Sequence, residues 1–73
     1  MYKVKIGTKY KTMNTRELRT FYAKLCSDKM QEFIDKANDW GKWFFRYEDL
    51  DKIGMDTIIQ ILEEENYKVK VVE

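Results

Sequence analysis

The sequence contains no histidine and a single cysteine, Cys26. Without histidine, neither a Ser-His-Asp nor a Cys-His catalytic arrangement can form. One cysteine cannot close an internal disulfide, and structural zinc sites draw most of their ligands from cysteine and histidine. We therefore predict a buried thiol in a reducing compartment, with no metal site and no cofactor.

Proline is absent, glycine is scarce, and no long apolar run is present. The glycines Gly7, Gly41 and Gly54 are too far apart to form a glycine-rich phosphate-binding loop. A helix that spans a bilayer needs about 20 consecutive apolar residues, and a signal peptide needs an apolar region after its basic start. We therefore expect a non-catalytic cytoplasmic protein without a membrane partner.

The net charge is only +1, yet the charges are unevenly distributed along the chain. Residues 1–29 carry eight basic and two acidic side chains, whereas residues 30–73 carry six basic and eleven acidic ones. The two parts therefore have net charges of +6 and −5. Charge asymmetry bears on binding partners rather than on fold, and it predicts separate positive and negative surfaces.

Residues 2–12 alternate β-branched and aromatic side chains with lysines, which is typical of a half-buried strand. Gly7 interrupts this pattern, and both a hairpin and one long strand with a bulge fit it. In a hairpin, a three-residue turn pairs Ile6 with Tyr10 and keeps the apolar residues on one face. A two-residue turn pairs Ile6 with Lys9 and mixes the faces, so the pattern favours the longer turn.

Two helices are predicted in the next part of the chain. Asn14 and Glu17 have the spacing of a capping box, and apolar residues then recur with helical spacing. Because Ser27–Asp28 also has N-cap chemistry, we predict helices over residues 15–26 and 29–38. A single bent helix over the same residues fits the apolar stripe as well.

The remainder of the chain predicts a turn, a strand, a helix and a closing strand. Residues 38–42 have turn chemistry, and the aromatic segment 43–47 is typical of a strand. A third helical stripe begins at Met55, with Asn66 as its C-terminal stop. Residues 67–71 then alternate as a strand.

The predicted fold class is therefore α+β, a single small domain over residues 1–73 in the order β-α-α-β-α-β. Its 44% of apolar residues are sufficient for one small core. Residues 43–72 have the length of one parallel βαβ unit, so we expect a mixed, roughly three-stranded sheet with helices packed on one face. The opposite, solvent-facing side should carry Lys3, Lys5, Lys68 and Lys70.

The first candidate binding surface is basic and consists of Lys3, Lys5, Lys9, Lys11, Arg16 and Arg19. Four lysines on one strand face, beside two arginines at a helix start, would form a stripe that binds phosphates. The alternative is a solvated strand face whose lysines prevent edge-to-edge aggregation. Neither the GXXG loop of a KH domain nor the aromatic pattern of an RRM strand is present.

The second candidate surface is aromatic and acidic and consists of Trp40, Glu48, Asp49, Asp51, Glu63 and Glu64. We expect most of the aromatic cluster in the core and Trp40 at the surface, where tryptophan often dominates interfaces. The acidic loop begins like an EF-hand, but Ile53 and Gln60 stand where calcium ligands are needed. The carboxylates therefore predict a solvated acidic face or a face for a basic partner groove.

Two functions follow from these surfaces. The first is a non-catalytic protein-binding module, an inhibitor or adaptor that docks on another protein through its charge-asymmetric surface. Compact, cofactor-free domains of this composition are common among proteins encoded by phages and other mobile elements. The alternative is a nucleic-acid-binding protein that uses the basic N-terminal third. A homodimer would help to stabilise so short a chain.

Overall fold

A computed structural model describes residues 1–32 and 37–72. Its elements in chain order are β1 (Tyr2–Ile6), β2 (Lys9–Met13), α1 (Thr15–Glu32), α2 (Ala37–Glu48), a short 3-10 helix (Asp49–Asp51), α3 (Met55–Glu64) and β3 (Val69–Val71). The strands form one sheet in the order β2-β1-β3. The predicted class, a small α+β domain with a three-stranded sheet and helices on one face, is confirmed.

The first two strands form a hairpin with a two-residue turn, so the predicted preference for a three-residue turn is wrong. The register pairs Ile6 with Lys9 across the turn. Gly7 has a φ of 66°, and a glycine with positive φ at the first central position suits the type II′ turn, whose twist matches the strands. This turn places Met13 on the helix-facing side with Val4, where both side chains are buried.

Helix α1 begins at the predicted capping box. The backbone N–H of Glu17 donates to Asn14 Oδ1 over 2.8 Å, and that of Asn14 donates to Glu17 Oε1 over 3.2 Å. The helix continues to Glu32 through residues 27–28, so the predicted break there is wrong. The apolar stripe stays in phase at this point, and burial of the stripe outweighs the local capping chemistry. Residues 33–36 of the predicted second helix lie outside the described residues.

Residues 37–48 form helix α2, so the turn predicted at 38–42 and the strand predicted at 43–47 are wrong. Aromatic residues favour strands, but tertiary packing overrides that preference. Trp43 is only 3% exposed within the core, and α2 packs mainly against α1. The helical signal was the i, i+3, i+4, i+7 spacing of Trp40, Trp43, Phe44 and Tyr47.

Helix α3 and the closing strand agree with the predictions. Asn66 ends the helix with a φ of 70°, and the Tyr67 N–H donates to the Leu62 carbonyl over 2.9 Å, as in a Schellman motif. β3 then pairs antiparallel with β1. The predicted parallel βαβ unit and mixed sheet are therefore wrong, because residues 43–47 are helical and supply no strand.

The core lies between one face of the sheet and the helices. Its buried residues are Val4, Met13, Leu18, Tyr22, Leu25, Cys26, Trp43, Ile58, Ile61 and Leu62. The predicted buried thiol is confirmed, since Cys26 has no exposed surface. Within the described ranges no charged side chain is buried. The lysines of the sheet therefore lie at the molecular surface.

Candidate functional site

The solvent-facing side of the sheet carries four lysines. The register pairs Lys3 with Lys70, and the Lys5 N–H donates to the Lys68 carbonyl over 2.8 Å, which places the second pair side by side. Their predicted position on this side is confirmed. Strand β2 adds two further residues, opposite Lys3 and Lys5. We call this surface the lysine face: Lys3, Lys5, Tyr10, Thr12, Lys68 and Lys70.

Nothing in the described chain neutralises the lysine face. The ion pairs among residues 1–32 and 37–72 involve none of its four lysines. Like charges directly opposite each other on neighbouring strands destabilise a sheet. The lysine face therefore combines two unfavourable lysine pairs with a local charge of +4, an arrangement that an external polyanion would stabilise.

Tyr10 places an aromatic ring among these lysines. Its side chain is 42% exposed, and the Lys70 ammonium lies 5.0 Å from the ring centroid, within the range of a cation–π contact. Since Tyr10 is on β2 and Lys70 on β3, the contact crosses the central strand. The lysine face therefore offers both cations and a flat apolar surface.

The predicted basic stripe is divided between the two sides of the sheet. Lys9 and Lys11 pair with Ile6 and Val4, so they lie on the side opposite Lys3. The two-residue turn causes this difference, because it shifts the alternation of β2 relative to the predicted one. The prediction of four lysines on one strand face is wrong.

The two predicted arginines have different surroundings. Arg16 lines a groove between the hairpin and α1. Arg19 turns elsewhere, because its Nη1 donates to the Leu50 carbonyl over 2.9 Å. This partly buried bond links α1 to the 3-10 helix, so Arg19 has a structural role in the fold.

The groove between the hairpin and α1 has a volume of about 660 Å³. Its apolar lining includes Met13, Phe21, Leu25 and Tyr67. Its basic residues are Lys11, Arg16 and Lys24, and its acidic residues are Glu17 and Asp28. The Phe21 and Tyr67 rings meet edge to face with 5.2 Å between centroids, which fixes one wall. The groove therefore joins an apolar floor to an excess of positive charge.

The aromatic residues of α2 lie mostly at the surface. Trp40 is 37% exposed and stacks on Phe44, with 5.0 Å between ring centroids. Phe45 is 67% exposed. The predicted exposure of Trp40 is therefore confirmed, although in a helix rather than a turn. The expectation that most of the cluster lies in the core is wrong, because Trp43 is buried whereas Phe44 is half-buried and Phe45 and Tyr47 are exposed.

The predicted acidic residues do not form one patch with Trp40. Glu48, Asp49 and Asp51 lie at the other end of α2, about 12 Å along the helix axis from Trp40. Glu63 and Glu64 lie in the last turn of α3. The structure therefore separates the predicted surface into an aromatic start of α2 and an acidic region beyond its end.

Acidic residues near the end of α3 pair with basic residues of the helices. Lys29 Nζ lies 3.3 Å from Glu65 Oε1, and Arg46 Nη2 lies 3.8 Å from Glu64 Oε2. Burial alone lowers the pKa of Lys29, but the hydrogen bond and charge of Glu65 outweigh it and raise that pKa above its ordinary value. Acidic and basic side chains thus lie together in this region, whereas the charged residues of the lysine face are all lysines.

Tyr22 and Cys26 are neighbours in the core. The Tyr22 hydroxyl makes no hydrogen bond of good geometry in the described part of the chain, and its neighbour is the Cys26 thiol, a weak hydrogen-bonding group. Burial raises the pKa of Tyr22 well above its ordinary value, and Cys26 adds to the rise. Burial also raises the pKa of the Cys26 thiol. The thiolate is the reactive form of cysteine, so this pair is a feature of the core rather than a reactive centre.

Comparisons with known proteins give this chain no relatives: no protein family, curated protein or solved structure matches it. Across the described residues, no cluster of three or more potential metal ligands occurs. No helix within those residues has the length and apolar character of a membrane span. The function of the protein is therefore inferred from its own surfaces.

The predicted basic surface omitted Lys68, Lys70, Tyr10 and Lys24. The signal for the first two was present, because the sequence Tyr-Lys-Val-Lys begins at residue 2 and again at residue 67. Lys24 follows Arg16 by two helical steps of four residues, which places both on one side of α1. Tyr10 could be assigned to the lysine face only once the turn length was known.

Proposed function

We propose that this protein is a non-catalytic macromolecule-binding domain and that its lysine face binds nucleic acid. The observation that carries the proposal is a cluster of four lysines around an exposed tyrosine, none of which forms an ion pair among residues 1–32 and 37–72. Lysine–phosphate contacts supply most sequence-independent affinity for nucleic acids, because they release condensed counterions. Binding would also relieve the repulsion within the Lys3–Lys70 and Lys5–Lys68 pairs.

The shape of the lysine face favours a single strand over a duplex. The outer strands of a three-stranded sheet lie about 10 Å apart before side chains are added. The major groove of DNA is about 12 Å wide and admits a two-stranded ribbon or one helix. A single strand can instead lie across the sheet, with phosphates at the lysines and a base stacked on Tyr10.

The test is binding of a fluorescent single-stranded oligonucleotide, followed by anisotropy, to the Lys3→Gln/Lys70→Gln variant. The control is Lys42→Gln/Lys52→Gln, which removes the same charge from exposed positions on α2 and after the 3-10 helix. We expect the first variant to lose affinity by about tenfold or more and the control to change less than about twofold. Equal losses would show that net charge alone attracts the oligonucleotide and would overturn the proposal.

A salt titration tests the same proposal independently of mutation. If four lysines contact phosphates of a single strand, the slope of log K against log salt is about −3. Affinity should then fall about 50-fold between about 50 and 200 mM salt. A slope near zero, or no binding at the lowest salt, would contradict a phosphate-binding surface.

Protein docking, the first function predicted from the sequence, is the second candidate. The observation that favours it is the 67% exposure of Phe45 on α2, close to the exposed carboxylates Glu48, Asp49 and Asp51. An exposed aromatic flanked by carboxylates suits a partner protein with a basic surface. Such a partner would be inhibited or adapted by the docked domain.

Affinity capture from the native cell tests this second candidate with matched baits. The wild-type chain should retain a partner that Phe45→Ser/Asp49→Asn loses and that Lys3→Gln/Lys70→Gln keeps. Both substituted positions are exposed, so the fold should persist, and circular dichroism checks this. The same proteins recovered by all three baits would count against docking at this end of α2.

A further inference from the structure

Strand β2 has a free backbone edge. It lies at one side of the sheet, in the order β2-β1-β3. In an antiparallel pair, alternate residues direct their N–H and C=O groups toward the neighbouring strand. The two-residue turn makes Ile6–Lys9 a hydrogen-bonded pair, so the backbone groups of Tyr10 and Thr12 point away from β1. These groups have no backbone partner in the described residues.

The groove lies on the helix-facing side of the hairpin, and Lys11 and Met13 of β2 are part of its lining. Helix α1 covers the helix-facing side of β2 only near Met13, and residues 9–12 are all exposed. Ile6, on the same side of the sheet, is 40% exposed, so the helix layer leaves apolar surface uncovered here. A further strand beside β2 would place alternate side chains over the groove, between Lys11 and helix α1.

The charges of the groove select an acidic occupant. Lys11, Arg16 and Lys24 line it against Glu17 and Asp28. The Glu17 carboxylate already accepts the Asn14 N–H in the capping box. Positive charge therefore predominates, and it lies next to the apolar lining. A second copy of this chain is a poor occupant, because β2 paired with β2 brings Lys9 and Lys11 against the same lysines.

We propose that the groove and the free edge of β2 bind an extended segment of a partner protein that alternates acidic and apolar residues. The segment adds to the sheet as a fourth strand. Its backbone groups bond to those of Tyr10 and Thr12, and its groove-facing side chains meet the basic residues and the apolar floor. This mode of recognition takes affinity from main-chain bonds and specificity from alternate side chains. It shares the backbone of Tyr10 and Thr12 with the lysine face, but its side-chain contacts in the groove lie on the opposite side of the sheet, and it does not depend on nucleic-acid binding.

The test is a selection of displayed random peptides of about ten residues, a length sufficient for a strand of five residues and its flanks. Selection on the wild-type protein should enrich sequences that alternate carboxylates with apolar side chains. A peptide from that pool is then synthesised and its affinity measured for three variants. Enrichment of sequences without acidic residues, or no enrichment, overturns the proposal.

The first variant, Thr12→Pro, removes the free-edge N–H without removing a bond to β1, and proline is tolerated at such edge positions. We expect about a tenfold loss of peptide affinity, whereas the control Thr12→Val, which keeps the N–H, should change affinity less than about twofold. The second variant, Lys11→Glu/Lys24→Glu, leaves the edge intact and should also lose about tenfold. It keeps the test valid if Thr12→Pro fails to fold, as judged by circular dichroism.

Two outcomes would assign this surface to another occupant. Sedimentation that shows a dimer of the wild type but not of Thr12→Pro would give the edge to a second copy of the chain. Oligonucleotide binding that Thr12→Pro loses and Lys3→Gln/Lys70→Gln retains would give it to nucleic acid. Either result overturns the proposal of a partner strand. Failure of oligonucleotide binding alone would affect only the lysine face.

Discussion

The lysine face and the groove both contain lysines from the same hairpin, yet they differ in what surrounds those lysines. On the lysine face, Lys3 and Lys70 lie opposite each other, and neither forms an ion pair with a carboxylate of the described residues. In the groove, Lys11 lies with Glu17, Asp28 and an apolar lining. An unmixed, flat positive surface suits a uniform polyanion, whereas mixed charge beside apolar surface suits one particular segment. Surroundings, more than residue type, therefore distinguish the ligands proposed for the two surfaces.

The largest expected effect comes from reversing charge on each surface in turn. Lys3→Glu/Lys70→Glu should weaken oligonucleotide binding by about 100-fold and leave binding of the selected peptide within about twofold. Lys11→Glu/Lys24→Glu should instead weaken binding of the selected peptide by about tenfold and leave oligonucleotide binding within about twofold. Anisotropy measurements of both ligands on both variants form the complete comparison. If either variant weakens both ligands equally, the two surfaces are not functionally distinct.

Substitution of Tyr10 sharpens the comparison, because it can remove an aromatic ring from the lysine face without removing a charge. Stacking of a base on an aromatic side chain contributes about 1–3 kcal/mol, so Tyr10→Ala should weaken oligonucleotide binding by about tenfold. Tyr10→Phe keeps the ring and should bind almost as the wild type does. The salt slope should stay unchanged in both variants, because no phosphate contact is lost. A change in slope for Tyr10→Ala would contradict a stacking role.

The interior can be altered without touching either surface. Tyr22→Phe removes a buried hydroxyl that makes no hydrogen bond of good geometry among the described residues, so the free energy of unfolding should rise by about 1 kcal/mol, as measured with urea. Oligonucleotide affinity should not change. A loss of stability would show that the hydroxyl is stabilised in the native protein.

The same variant carries a pH prediction. The pKa of Tyr22 is raised in the folded state, so the unfolded chain releases this proton first as pH rises above about 10. Below about pH 10 this group therefore leaves the free energy of unfolding unchanged, and above about pH 10 it lowers it. Tyr22→Phe should lose less stability than the wild type between about pH 9 and pH 11. Equal losses would place the alkaline sensitivity elsewhere, for example at Lys29.

The smallest expected effect separates stability from binding on the lysine face itself. Lys3→Glu places a carboxylate opposite Lys70, and an opposite-charge pair across two strands contributes about 0.2–1 kcal/mol. The variant should melt at a higher temperature and bind the oligonucleotide more weakly. If Lys3 had only a structural role, its replacement would not raise stability while weakening oligonucleotide binding. Lower stability with unchanged binding would therefore contradict the proposed binding role of Lys3.

Local sequence patterns predicted the elements that are stabilised locally. The capping box at Asn14 and Glu17, the start of α3 at Met55 and the stop at Asn66 depend on neighbouring residues, and each is confirmed. Helix α2 was missed because its aromatic residues favour strands. Their helical spacing was present in the sequence, but it prevails over that preference through the packing of Trp43 in the core. Packing of this kind depends on contacts between distant parts of the chain.

The candidate site was predictable only in part, and for a related reason. Alternation correctly placed Lys3, Lys5, Lys68 and Lys70 on the solvent-facing side, because each strand alternates by itself. The side of the sheet on which Lys9 and the other β2 side chains lie depends on the length of the turn, since a one-residue shift in register moves every side chain of the strand to the other face. The charge imbalance along the chain was a weaker guide, because β3 brings basic residues of the acidic half to the N-terminal strand.

The tight turn at Gly7 has a consequence for how this domain can change. One residue inserted after Gly7, if the two-residue turn were kept, would exchange Lys9 and Lys11 with Tyr10 and Thr12 across the sheet and would turn Met13 away from the core. The lysine face would then gain two cations and lose the Tyr10 ring, while the groove would lose Lys11. A single codon at the hairpin tip thus governs the character of both surfaces at once.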